Sequence, residues 1–345
     1  MVMKAVLFPG GKQVQIVERP VPQPEADEVL IRTRASALCR SDMSLYNGNP
    51  IVGGDATLTG QIIPGHEAAG EVVQVGQGVT EVKAGDRVAV YLAFGCGSCT
   101  HCRNGDLMLC DQWKCLGFDL NGGDADYVIA PAYNCLKLPD TLSFEAGAVM
   151  TDMVGTQYHT QKRLDISGTD TVAIFGIGPM GSAGILIAKG RGARVIAVDV
   201  LDSRLEMAKQ LGADEVVNSS TENAVERLRA LTGGRGVDAA IDCSGHPVAQ
   251  NAALDAARKL GKVAFVGESR STTINPSDQM IRKLLTVIGA WYFPIGEWTE
   301  LVNFVVERQI AVDKMITHRF SLDHAAEAFQ LFDQRQTGKV VFVWD

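Results

Sequence analysis

No stretch of 18 uninterrupted apolar residues occurs in this 345-residue chain, so no segment reads as a transmembrane helix. Runs of like charge are missing too. With 32 Lys+Arg against 40 Asp+Glu the formal charge is -8, and the lack of any basic stripe argues against nucleic acid as a partner. The opening residues Met1 to Pro9 carry neither the charged nor the apolar region of a signal peptide. The 36 glycines show no period of a collagen or a repeat array. These absences predict a soluble, cytoplasmic protein with no membrane and no nucleic-acid partner.

At 345 residues the chain exceeds what one hydrophobic core usually serves, and two domains are the default expectation. Up to about residue 150 it reads as short, turn-bounded strands: Gln13–Val17, Glu28–Thr33, Gly70–Val75 and Asp86–Val90. From Thr171 the pattern changes. Apolar runs at Thr171–Phe175, Arg194–Val198, Val237–Ile241 and Lys262–Val266 alternate with helix-length stretches, the βαβα signature of a parallel sheet covered on both faces. One such helix has Asp202 as its expected N-cap and Gly212 as its stop. Beyond about residue 290 the pattern predicts two helices, Glu297–Arg308 and Asp323–Gln330, and a last strand, Lys339–Val343.

Directly after the first buried strand stands Gly176-Ile177-Gly178-Pro179-Met180-Gly181, followed by a helical stretch. Glycines at that spacing permit a tight turn, let backbone N–H groups meet a pyrophosphate and bring the helix close to the strand. Asp199 ends the second strand, 18 residues after Gly181, where a carboxylate takes ribose hydroxyls. A 2′-phosphate beside it would be repelled by roughly 1 to 4 kcal/mol per charge pair, which favours NAD over NADP. Arg204 is the reservation: it either turns toward a phosphate, or lies as a solvated charge or a stack on adenine.

Eight cysteines in a reducing compartment are better explained by metal than by disulfides where they cluster. Cys96, Cys99, Cys102 and Cys110 fall within 15 residues, in a segment too short to have a core of its own. Four thiolates suit tetrahedral zinc, and a closed four-sulfur shell leaves no position for substrate, so the site reads as structural; iron is the chemical alternative. A second set is dispersed: Cys39, His66 and Asp152. Singly, each is equally well a buried thiol, a satisfied core histidine and a helix cap. Cys115 and Cys135 have no partner by spacing.

Several of these motifs recur together. The Cys39-Arg40-Ser41-Asp42 segment, Gly65-His66-Glu67, the four-cysteine lobe, Gly85-Asp86-Arg87-Val88, the glycine turn and Thr317-His318-Arg319-Phe320 make the chain resemble the zinc-containing medium-chain alcohol dehydrogenase family over essentially its full length. The resemblance implies an α/β fold: a GroES-like β-rich catalytic domain from residues 1–152 and 290–345, and a Rossmann NAD-binding domain, a doubly wound parallel sheet, over 153–289. It implies two Zn2+ ions per chain, the catalytic one held by Cys39, His66 and a third ligand. Members carry Cys or Asp there, and Met150-Thr151-Asp152-Met153 resembles the Asp class. Glu67 resembles a glutamate that lies behind the metal and exchanges onto it, and Asp42 would orient the His66 ring. Ser41 matches the hydroxyl that passes the substrate proton toward the cofactor ribose. Arg40 resembles the residue that pairs with the cofactor pyrophosphate, a surface salt bridge being the alternative.

One departure is visible: where some members have a relay histidine, this chain has Ser44. The activity so implied is hydride transfer between a small-molecule alcohol, or its aldehyde or ketone, and NAD(H), in a homotetramer or homodimer. A polyol or sugar dehydrogenase of the same superfamily and a non-catalytic NAD(H)-binding protein are the competing readings. Leu92, Trp113 and Trp291 are nominated as substrate walls. Asp242-Cys243-Ser244-Gly245, at the end of a parallel strand, resembles the wall near the nicotinamide, with Cys243 itself read as structural.

Overall fold

Alternating strands and continuously apolar strands, the two patterns in the sequence, sort into two different sheets. The computed structural model describes residues 1–48 and 60–345. Within these the chain divides into two units, one of Met1–Asp152, Pro294–Val302 and Ile316–Asp345, the other of Met153–Phe293 and Asn303–Met315.

The first unit is built on a seven-stranded sheet. Its strand Glu28–Ala37 pairs antiparallel with Glu67–Val75, with Tyr127–Pro131 and with the last strand, Lys339–Val343. Lys339–Val343 in turn pairs parallel with Ile316–Phe320, so the end of the chain completes a sheet that its beginning starts. Phe8, Leu38, Phe329 and Phe342 pack into one apolar cluster of this unit. Such long-range pairing has no local signal in sequence.

The second unit holds six parallel strands ordered Glu215–Asn218, Arg194–Asp199, Thr171–Phe175, Val237–Asp242, Ala257–Phe265 and Thr286–Gly289. In chain order this is 3-2-1-4-5-6, the doubly wound Rossmann arrangement. Both faces are covered, which is why the strands lack alternation. Ala173 and Phe175 join Leu228, Ala253 and Leu254 in one core. On the opposite face Ile174 lies under the helix Pro179–Gly190, where a Cβ on Gly184 would sit 3.2 Å from its methyl carbon.

Several boundaries differ from the expectation. Leu201, not Asp202, is the N-cap of the helix Asp202–Gln210, because the Asp202 carboxylate is taken by the Asn218 amide at 2.7 Å. Gly212 does follow the C-cap Leu211, in the left-handed region at φ +100°. Residues 290–293 and 303–315, expected with the ends of the chain, cluster with the parallel sheet. For 303–315 the physical reason is aromatic: Phe304 packs at 5.2 Å on Tyr158 and at 5.3 Å under Arg191, all within that unit. Among the described residues no helix is long and apolar enough to cross a membrane.

Candidate functional site

Antiparallel register assembles the first half of the site. Ala37 stands opposite Glu67, so Cys39, just past one strand, meets His66, just before the next. Asp42, fully buried, ties both together: one carboxylate oxygen accepts the Cys39 backbone N–H at 2.8 Å, the other lies 2.9 Å from His66 Nδ1. With Nδ1 donating to Asp42, the imidazole presents Nε2 as a lone-pair donor. Backbone bonds from Gly122, Gly123 and Asp124 to the carbonyls of Ile63, Gly65 and Pro64 clasp the turn that carries His66. Gly65 sits there at φ +93°, and any Cβ would lie 2.3 Å from the Asp124 carboxylate.

Asp152 arrives from a different element. It occupies a π-helical turn, Met150–Val154, between the helices Phe144–Val149 and Gly155–Arg163. Its Oδ2 lies 3.4 Å from Cys39 Sγ and 3.5 Å from His66 Nε2. Zinc bonds of about 2.0–2.3 Å place tetrahedral ligand atoms roughly 3.3–3.8 Å apart, and both distances from Asp152 fall in that range. Glu67 completes a group of four whose donor atoms all fall within 4.8 Å of one another, but its Oε1 is 4.0 Å from His66 Nε2. Ser41 Oγ lies 3.3 Å from the same nitrogen.

The acidic groups of this cluster crowd one another in a buried setting. Burial pushes the Cys39 thiol up, and the Asp152 charge adds to it. Burial likewise pushes Glu67 up to about 8 against the pull of Lys339. Burial opposes charge on His66, yet Asp42 and Asp152 outweigh it and hold the imidazole well above its ordinary value. A pocket so rich in acidic groups asks for a cation, and the donor set of thiolate, imidazole and carboxylate fits zinc.

The four-cysteine lobe forms a second cluster. Its sulfurs also fall within 4.8 Å of one another, none is in a disulfide, and Cys96 and Cys102 Sγ are 4.0 Å apart. The sulfurs of Cys96, Cys99 and Cys110 each accept a backbone N–H at 3.4 Å. Hydrogen bonds from Ser98, foremost its hydroxyl, and from the Cys99 amide draw the Cys96 thiol down to about 6.

In the parallel-sheet unit, Gly176 has φ +85° and Gly178 is the N-cap of Pro179–Gly190, with Pro179 and Met180 in its first turn. A Cβ on Gly181 would lie 2.1 Å from the Gly176 carbonyl oxygen, so the close approach of helix and strand requires glycine. Asp199 braces the turn: its carboxylate accepts from Ile177 N at 2.6 Å, Val200 N at 2.7 Å and Leu201 N at 3.0 Å. Arg204 is half-buried; burial lowers its guanidinium, and Asp199 opposes that.

Other nominated residues fall less centrally. Arg40 donates to the Phe332 carbonyl at 3.2 Å and lies over the Phe332 ring. Leu92 is wholly buried, and Trp291, 37% exposed, stacks on Tyr292; Trp113 is half-buried. Cys243 receives the Gln157 amide at 3.2 Å. Sequence reasoning missed Lys339, whose amine lies buried 2.5 Å from Glu67 Oε1. It also missed Asp124, a buried carboxyl bonded to Ser36 at 2.6 Å. Only the oddity of a lysine inside an apolar strand could have signalled the first.

Fold and site together define a metal-dependent, dinucleotide-linked oxidoreductase. Residues 25–140 match the alcohol dehydrogenase GroES-like domain and residues 179–307 the zinc-binding dehydrogenase domain. The uncharacterized zinc-type alcohol dehydrogenase-like protein YphC of Escherichia coli K12 is 36% identical, over 98% of both chains. The L-threonine 3-dehydrogenase of Pyrococcus horikoshii is 36% identical over 96% of both. Among solved structures, the short chain alcohol dehydrogenase rspB of Escherichia coli CFT073, in complex with NADH, superposes with a TM-score of 0.89 at 29% identity, covering 99% of both chains. The chain belongs to the zinc-containing medium-chain dehydrogenase family, and is a zinc-dependent oxidoreductase that works with a nicotinamide cofactor.

Proposed function

We propose that this protein is an NAD-dependent alcohol dehydrogenase with two zinc ions per chain, one catalytic and one structural, working in the cytoplasm as a homotetramer or homodimer. The observation that carries the reading is the convergence of Cys39, His66 and Asp152, drawn from three separate segments, at the spacing of zinc ligands. In this reading Met1–Asp152 with the two later segments is the catalytic domain, and the parallel-sheet unit binds NAD.

Cys39, His66 and Asp152 hold the catalytic metal, and Cys96, Cys99, Cys102 and Cys110 hold the structural one. When bound, the catalytic zinc supplies a Lewis acid for the substrate oxygen. Asp42 keeps the imidazole in the tautomer that offers Nε2. Ser41 Oγ, beside that nitrogen, takes the proton leaving the substrate hydroxyl, and Ser44, in place of a histidine, leaves the onward path to solvent. The turn from Gly176 to Gly181 receives the pyrophosphate on backbone N–H groups, with no side chain to clash. Asp199 favours NAD, because its carboxylate would face a 2′-phosphate with like charge.

The test is a cofactor-reduction screen with NAD and NADP across primary, secondary, aromatic and polyol alcohols and β-hydroxy amino acids, with zinc analysis on the same sample. Two zinc per chain and turnover at least tenfold better with NAD are expected. Zinc only in the four-cysteine lobe, with no turnover on any alcohol, overturns the proposal.

A further inference from the structure

Lys339 has no accessible surface, although it opens a strand whose other members are Val340, Val341, Phe342 and Val343. Lysine is almost never fully buried unless paired. Register explains its reach: Val341 stands opposite Ala37, and Ala37 stands opposite Glu67, so the long side chain passes the intervening strand. Its amine lies 2.5 Å from Glu67 Oε1, and both side chains are completely enclosed.

The Glu67 carboxylate is otherwise at liberty. Its second oxygen, Oε2, is buried with no hydrogen-bond partner among the described residues. The group belongs to the same donor cluster as Cys39, His66 and Asp152, but stands back from it, 4.0 Å from His66 Nε2 where the other contacts measure 3.4 and 3.5 Å. Charge favours this arrangement when a metal is bound. A dication held by one thiolate and one carboxylate is already neutral, and a third anion at the metal would leave the site negative inside a low-dielectric interior. Paired with Lys339, Glu67 carries no net charge toward the metal.

We propose that Lys339 is a positioning residue that holds the Glu67 carboxylate off the fourth coordination position of the catalytic metal, and so keeps that position open for substrate. This rests on the metal reading above. Without the lysine, the Glu67 carboxylate loses the cation that holds it back, and coordination to the metal is what then keeps it ionised in the interior, so it becomes the fourth ligand.

The test uses the full-length protein with cobalt in place of zinc, whose visible absorption reports coordination without turnover. Lys339→Met is expected to shift the absorption of the catalytic-site cobalt, to slow its removal by a chelator about tenfold, and to raise substrate KM. Lys339→Arg should restore the parent behaviour, and the double variant Lys339→Met with Glu67→Gln should lose the shift. Glu67→Gln alone should leave the parent spectrum unaltered, because Glu67 is not a ligand while Lys339 holds it. This last measurement decides the matter even if Lys339→Met does not fold: a changed spectrum in Glu67→Gln overturns the inference. So does a folded Lys339→Met with unchanged absorption and chelation rate. A parent chain that takes up cobalt only in the four-cysteine lobe sinks the metal reading itself, and the inference with it.

Discussion

Asp42 does the work of two residues, orienting the His66 ring with one oxygen and pinning the Cys39 backbone with the other. Carboxylates bonded on both oxygens recur away from the site. Asp238 accepts from Thr171 N at 2.8 Å and pairs with Arg258 Nε at 2.5 Å. Burial alone would raise its pKa, but the Thr171 amide and Arg258 prevail and hold it below the ordinary value. The folded state therefore binds the proton less readily than the unfolded chain. This stabilisation is complete above the unfolded value of about 3.9 and is lost as pH falls through the lowered folded value. Asp238→Asn should destabilise the protein by about 1–2 kcal/mol at pH 7. Urea melts of both proteins at pH 7 and on acidification should show that gap closing below about pH 4; a gap independent of pH would refute the ion-pair account.

The four-cysteine lobe has little regular structure around its sulfurs, although Leu107 and Met108 are buried. Its helix, Thr100–Arg103, is one turn long, and its only sheet is the two-residue pair of Ala93–Phe94 with Lys114–Cys115. Structural zinc contributes about 10–16 kcal/mol to folding, as much as the whole stability of a typical domain, about 5–15 kcal/mol. Cys99→Ser should halve the zinc content and expose the segment around residues 95–113 to protease, with the Rossmann strands still protected. Full zinc content and an uncut lobe in that variant would remove the structural role. The lobe was legible because its four cysteines are neighbours in the chain. The π-turn Met150–Val154 was not: one extra residue per turn turns Asp152 toward the metal group, and no local residue type announces it.

Linkage between cofactor and folding acts on the molecule as a whole. A ligand at 100 times its Kd stabilises the native state by about 2.7 kcal/mol, and each kcal/mol raises the Tm of a 150–250-residue domain by roughly 2–4 °C. NADH at that excess should therefore raise the Tm of the parallel-sheet unit by roughly 5–10 °C. NADPH at the same concentration should raise it less, since Asp199 stands at the end of the second strand of that sheet. Equal shifts in a thermal melt would show that Asp199 braces the glycine turn without selecting the cofactor.

Much of the architecture lay in short-range pattern. Apolar runs separated by helix-length stretches define a parallel sheet, the glycine spacing marks the tight turn after its first strand, and four close cysteines mark a cluster of sulfurs, because each signal lies within a few residues of chain. Cys39, His66 and Asp152 were singly ambiguous, and resemblance alone grouped them. Tertiary pairing decided the rest: the register of Ala37 with Glu67 brings thiol and imidazole together, and the return of the last strand delivers a buried amine to Glu67. Contacts between residues 272 positions apart depend on how strands meet in space, and no window of local sequence carries that information.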